Sequence, residues 1–262
     1  MIEITNLKKS FEDKEILKGI STSFEAGKTN LVIGTSGSGK TVFVKCLVGL
    51  LEPTSGTISY DGIDFTALSH REKKAIRTQI GMLFQGSALF DSMTVEENVM
   101  FPLNMFTNMT SKEKLNRVNF CLERVNLIGA NKKYPAEISG GMMKRVGIAR
   151  AIVLNPKYLF CDEPNSGLDP QTALLIDELL SDITHEYKTI TIINTHDMNS
   201  VMGMGEKIVF LHKGFKEWEG SSNDILNTNN EILFNFIFAS DFLKQLRKGA
   251  GEAIQHESPP NQ

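Results

Sequence analysis

The octapeptide Gly34-Thr35-Ser36-Gly37-Ser38-Gly39-Lys40-Thr41 puts glycines, a lysine and a hydroxyl at the spacing G-x-x-x-x-G-K-[ST]. Glycine permits positive φ, so several backbone N–H groups converge on phosphate oxygens at the positive end of a following helix. Lys40 would place a point charge on β- and γ-phosphates, and Thr41 would offer its hydroxyl to Mg²⁺. A flexible glycine turn is the plain alternative. The flanks argue against it: Leu31-Val32-Ile33 is uniformly apolar, as in a strand buried on both faces, and residues 42–51 read as an apolar helix stopped near Pro53.

A phosphate cradle alone does not hydrolyse. Tyr158-Leu159-Phe160-Cys161-Asp162-Glu163 reads as a buried strand whose C-terminal end emerges as two carboxylates. Asp162 is the expected Mg²⁺ partner, through water, which leaves Glu163 to polarise an attacking water. Taken alone, the pair is as readily a polar strand end. Beside Lys40 and Thr41 it points to nucleotide hydrolysis.

These residues need a frame. Ile2, Ile4 and Leu7 mark a first strand, and residues 16–24 a second, before the turn Ala26-Gly27-Lys28. Strand texture returns at 158–161 and 189–194, separated by helix-length segments, which implies a mainly parallel sheet. Before the strand at 158–161 lies a helical insertion over about 86–154. Thr94 with Glu97 and Thr110 with Glu113 spell capping boxes, and Leu115, Val118, Leu122 and Val125 share a helical face. The reading is one domain over 1–225, a C-terminal helix over 226–248 and a disordered tail over 249–262. The aromatic surface Phe234, Phe236, Phe238 and Phe242 of that helix is expected on its own domain, with dimer support as the alternative.

With 262 residues, 41% of them hydrophobic, the chain can bury a large core. A formal net charge of -3 gives no global attraction to nucleic acid or anionic lipid. Cys46, Cys121 and Cys161 are an odd, scattered set, so neither a disulfide framework nor a zinc site is expected, and a reducing compartment fits. The start, MIEITNLKKSFEDKE, lacks the apolar stretch of a secretory signal, and no run approaches a membrane span. If the protein serves a membrane, other chains do the spanning.

Ser139-Gly140-Gly141-Met142, followed by Lys144-Arg145-Val146 and Ala149-Arg150-Ala151, resembles the signature of the ABC ATPase family. Physically, Ser139 suits a helix N-cap, and Gly140 and Gly141 expose N–H groups, a second anion site. The resemblance covers nearly the whole chain to about residue 225. It implies an α/β fold, a P-loop NTPase ABC cassette with a mainly parallel sheet core, an N-terminal antiparallel β subdomain and a helical signature subdomain. It also implies ATP and Mg²⁺ as ligands and a head-to-tail homodimer in which Ser139, Gly140 and Gly141 of one copy contact the γ-phosphate held by the other. Residue by residue, Gln85 resembles the glutamine that senses Mg²⁺ and water. Asp169, in Ser166-Gly167-Leu168-Asp169, resembles the loop through which subunits communicate. His196 resembles the switch histidine at the γ-phosphate, and Phe11 occupies the place of an aromatic that stacks on adenine.

The signature departs from the commonest form at Ile138 and Met142. Met142, with residues 86–95, Asn98-Val99 and Phe101-Pro102-Leu103, is similar to the ATPases of Mce-type lipid transporters, the Mla phospholipid system included. That likeness implies integral membrane permease subunits, an Mce-type lipid-binding partner and a peripheral place on the cytoplasmic face of the inner membrane. A cassette for another import or export substrate is the alternative. Soluble members acting in translation or DNA repair fit less well: there is one Lys40 and one Asp162, no sustained heptad between them and no basic stripe, so no nucleic-acid partner is expected.

Overall fold

In a computed structural model, which describes residues 1–237, alternating apolar positions open the chain as β1 (Ile2–Phe11) and β2 (Lys14–Phe24), an antiparallel hairpin. β3 (Lys28–Ile33) follows, buried from Thr29 onward, and its loop delivers the chain to α1 (Lys40–Leu47). This helix stops short of the 51 read from sequence because Gly49 turns to φ 74°, and the N–H groups of Leu50 and Leu51 fold back onto the Lys45 carbonyl. β4 (Ser55–Tyr60) and β5 (Ile63–Asp64) complete a four-stranded antiparallel sheet in the order β2-β1-β4-β5.

α2 (His70–Arg77) leads to β6 (Ile80–Leu83), after which helices take over: α3 (Val95–Phe106), α4 (Ser111–Arg124), a 3-10 turn at Pro135–Glu137 and α5 (Gly140–Ile152). Both capping boxes read from the sequence form, Thr94 with Glu97 and Thr110 with Glu113, each satisfying N–H groups that a helix start leaves open. Strands then alternate with helices: β7 (Tyr158–Asp162), α6 (Pro170–Tyr187), β8 (Ile190–Asn194), α7 (Met198–Met204) and β9 (Lys207–His212). β10 (Phe215–Gly220), α8 (Ser222–Leu226) and α9 (Glu231–Ile237) end the described chain.

The second sheet has the order β10-β9-β3-β8-β7-β6, parallel except for β10. Its strands divide their side chains between two cores. Leu31, Ile33, Leu159, Cys161 and Ile193 pack under α3 to α6, whereas Val32, Tyr158, Phe160, Ile190 and Ile192 pack against α1 and the N-terminal sheet. Each large side chain so buried contributes roughly 1.5–3 kcal/mol. Packing on both faces fixes the sheet, so the loops at its C-terminal edge hang from a rigid frame.

α9 packs on its own domain: Leu233 and Ile237 are buried, and Phe236 stacks on Phe210 with ring centroids 5.1 Å apart. The C-terminal helix expected over 226–248 starts later, at Glu231, after α8 ends at Leu226; the rest of that expectation, with Phe238 and Phe242, and the tail 249–262 lie outside the described residues. Among the described residues, no helix is long and apolar enough to cross a membrane. All three cysteines are free and buried.

Candidate active site

The C-terminal ends of β3, β6, β7 and β8 lie side by side, with Asp162 paired to Asn194 and Asn194 to Val32. The residues following these strands are therefore brought together, and they open on a cavity of about 750 Å³ lined by Gly34, Thr35, Ser36, Gly37, Gly39, Lys40, Thr41, Gln85, Glu163 and His196. Sequence positions far apart meet because every parallel strand delivers its loop to one edge.

The glycine loop takes the shape its residues allow. A Cβ on Gly34, at φ 151°, would meet the Leu211 carbonyl oxygen at 2.2 Å, and one on Gly39, at φ 106°, would meet Leu17 Cδ2 at 2.8 Å. Only hydrogen fits at either place. Lys40 is 8% exposed and its Nζ donates to the carbonyls of Gly34 at 2.8 Å and Thr35 at 3.2 Å. Burial lowers its proton affinity, while Glu163 and Asp162 act in the opposite direction.

Asp162 accepts from Asn194 Nδ2 at 2.5 Å, which orients the carboxylate beneath the cavity. Glu163 sits at φ 50°, an uncommon conformation for a non-glycine residue, and its carboxylate meets His196 Nδ1 at 2.8 Å. The His196 side chain is 67% exposed, and the contact with Glu163 is the one ion pair it makes among the described residues. Two buried atoms of this region, Ser38 Oγ and Asn194 Oδ1, have no partner among the described residues. A ligand group that satisfied them would relieve about 1–3 kcal/mol each.

Other expected site residues stand elsewhere. Ser139 caps α5, accepting from the Met142 N–H at 3.2 Å, and a Cβ on Gly141 would meet Thr172 Cγ2 at 2.7 Å. Neither Ser139, Gly140 nor Gly141 lines the cavity of its own chain. Asp169 caps α6 through Thr172, whose side-chain and backbone donors hold its carboxyl below the usual range. Phe11 ends β1 beside the turn at Glu12, is 43% exposed with Lys9 Nζ 4.9 Å from its ring centre, and stands outside the cavity lining, to which β2 contributes Lys14 and Ile16.

Residues 17–166 match the family model described as ABC transporter. The chain belongs to the ABC transporter family. It is 38% identical over 236 residues to a probable ribonucleotide transport ATP-binding protein of Mycobacterium leprae, a match spanning 90% of this chain and 68% of that protein. The methionine import ATP-binding protein MetN of Carboxydothermus hydrogenoformans is 39% identical over 241 residues, spanning 90% and 71%. Among solved structures, the dimeric bacterial cassette MJ0796 superposes with a TM-score of 0.79 at 31% identity, covering 85% of this chain and 99% of that one. The same cassette is known in a post-hydrolysis state with ADP and Pi. CbiO1 of Clostridium perfringens, part of the transporter complex cbiONQ, gives a TM-score of 0.81 at 26% identity, covering 95% and 98%.

This ABC cassette is thus an ATP-binding, ATP-hydrolysing subunit with the P-loop NTPase fold, its mainly parallel sheet flanked by an antiparallel one. Its structure also brings forward contacts that the motifs did not mark. Phe236 of α9 lines the cavity, as do Lys14 and Ile16 of β2. The buried Lys144 reaches the backbone of both Gln85 and Glu163. No spacing in the sequence signals these contacts, because they depend on which helix packs over which loop.

Proposed function

We propose that this chain is the ATPase subunit of an Mce-type lipid transporter, acting as a homodimer beneath separate membrane permeases. The observation that carries the catalytic half is the meeting of Lys40, Gln85, Glu163 and His196 in one cavity above Asp162. Lys40 and the N–H groups of residues 34–41 hold the β- and γ-phosphates; Glu163 accepts a proton from the attacking water; His196, within reach of Glu163, contacts the γ-phosphate.

Thr41, Gln85 and Asp162 would hold Mg²⁺. They offer a hydroxyl, an amide oxygen and one carboxylate, hard donors that suit this ion. Among the described residues, no group of three His, Cys, Asp or Glu side chains forms a cage, which agrees with an ion held jointly with nucleotide phosphates. Bound there, Mg²⁺ neutralises charge on the phosphate oxygens. Ser139, Gly140 and Gly141 serve a second copy, sealing its nucleotide with the amides at the start of α5, and Asp169 sits at the junction between the copies.

The membrane half rests on a groove of about 420 Å³ between β6 and α3, lined by Met82, Phe84, Phe90, Phe101 and Phe106. Phe84, Phe90 and Phe106 are each at least 40% exposed. A contiguous aromatic groove of this kind fits an inserted helix from a membrane subunit. Lipid as cargo rests on Met142 and residues 86–103, whose likeness is to Mce-type ATPases. The cargoes in the names of the two curated relatives, ribonucleotide and methionine, are the competing assignments.

Gentle membrane extraction and identification of the co-purifying chains tests the assignment. A permease with an Mce partner is the expected result. A permease with a methionine- or nucleotide-binding partner would replace the lipid reading and leave the ATPase intact.

A further inference from the structure

Lys144 lies in α5, little more than one turn beyond Ser139, and is only 5% exposed. Among the described residues it forms no ion pair. Its Nζ instead donates to two backbone carbonyls, those of Gln85 and, at 3.1 Å, of Glu163. An ammonium taken out of water needs charge-assisted hydrogen bonds to offset its lost hydration, and a methionine would fill the same space without that cost. Burial lowers the proton affinity of Lys144, with Cys161, Glu163 and Asp162 opposing.

Both acceptors belong to residues whose side chains line the cavity. Glu163 is held in its positive-φ conformation from two sides: its N–H donates to the Asn194 carbonyl at 2.8 Å, and its carbonyl accepts from the Ser166 N–H at 3.2 Å and from Lys144. The Gln85 loop is gripped by the same face of α5. Gly147 lets the helix approach so closely that a Cβ there would meet Leu83 Cδ1 at 2.6 Å. Arg150 donates to the carbonyls of Ser87 at 2.5 Å and Ala88 at 2.8 Å, both residues at positive φ. Among the described residues, Lys144 is the side chain that hydrogen-bonds both this loop and Glu163.

We propose that Lys144 is a positioning residue for ATP hydrolysis, its ammonium tying the backbone of Gln85 to that of Glu163 so that α5 sets where the Glu163 carboxylate stands. The inference rests on the role given to Glu163 above. The glycine loop makes no hydrogen bond to Lys144, so loss of the ammonium leaves phosphate binding in place, unties Glu163 from the Gln85 loop and leaves its positive-φ backbone to the Asn194 and Ser166 contacts. Turnover falls while affinity holds. Since α5 begins with Ser139, Gly140 and Gly141, a partner's nucleotide seated on that end is linked through one rigid helix to the base of the chain's own site.

The test uses the full chain, with kcat, KM and equilibrium ATP affinity measured for Lys144→Met, Lys144→Arg, Lys144→Gln and Glu163→Gln. For Lys144→Met we expect kcat lower by about 30-fold or more, with KM and affinity within about threefold of the parent. Lys144→Arg, which keeps a charged donor, recovers at least part of kcat. Unchanged kcat in Lys144→Met overturns the proposal, as does affinity falling in step with kcat, or an arginine variant no better than methionine. If Lys144→Met does not fold, Lys144→Gln, with a neutral donor, carries the same comparison against arginine. Glu163→Gln separates the two levels. Turnover retained there removes the base assignment and this proposal with it, whereas a dead Glu163→Gln beside an unimpaired Lys144→Met removes the proposal alone.

Discussion

Lys40 and Glu163 face one cavity, but their losses remove different things. Lys40 is a buried charge aimed along the phosphate loop, so Lys40→Ala should abolish measurable ATP binding, checked by equilibrium titration with a fluorescent nucleotide. Glu163→Gln keeps the loop and should bind ATP normally while turnover drops by about 10²–10⁴. Turnover within threefold of the parent would refute that role. Both residues were readable because a phosphate cradle and a strand-end carboxylate pair obey local spacing. Lys144 was not, since it sits in the sequence as one more basic residue of a helix, and only the packing of α5 over β6 turns it inward. Phe11 is known from its place in a family pattern alone, and its exposed ring, beside the β1–β2 turn at Glu12, is outside the cavity lining.

At the scale of elements, a carboxylate is one of the contacts that join the two sheets. Glu219 of β10 meets Lys207 and Lys216 at 2.7 Å each and accepts from Thr22 of β2 at 3.0 Å. Burial alone would raise its pKa, but the two lysines outweigh it and hold the carboxyl below its ordinary value. A carboxyl with a depressed folded-state pKa stabilises the fold above the unfolded-state pKa, and that contribution is lost as pH falls through the folded-state value. Glu219→Gln should therefore cost about 1 kcal/mol in urea melts at pH 7. The gap between parent and variant should close below the ordinary carboxylate range. An unchanged gap in acid would show that the loss comes from packing. Strand and helix types were legible here from period and capping, Thr94 and Thr110 being the clearest cases. The end of α1 was not, because the turn at Gly49 is set by tertiary contact with Phe65, whose ring atoms stand 2.7 Å from where a Cβ would be.

For the molecule as a whole, the question is why one chain carries two helix starts suited to anions. α1 opens on the cavity, and α5 opens on exposed Ser139 away from it. Ser139 stands outside the cavity of its own chain, whereas two copies placed head to tail would join each α5 start to the other's phosphate cradle. The native thiols make this directly testable. Cys46, Cys121 and Cys161 are buried, and burial raises the pKa of each, the first two to about 11, so all three stay protonated and shielded near pH 8. Thiols placed at the exposed Ser36 and Ser139 would then be the reactive ones. We expect a mixture of Ser36→Cys and Ser139→Cys chains, each also carrying Glu163→Gln to retain ATP, to form a cross-linked heterodimer with a short bifunctional reagent. It should form with ATP and Mg²⁺, and neither with ADP nor between two copies of the same variant. Cross-linking that ignored the nucleotide, or that joined Ser36→Cys chains to one another, would place the shared interface elsewhere and leave each cavity to work alone.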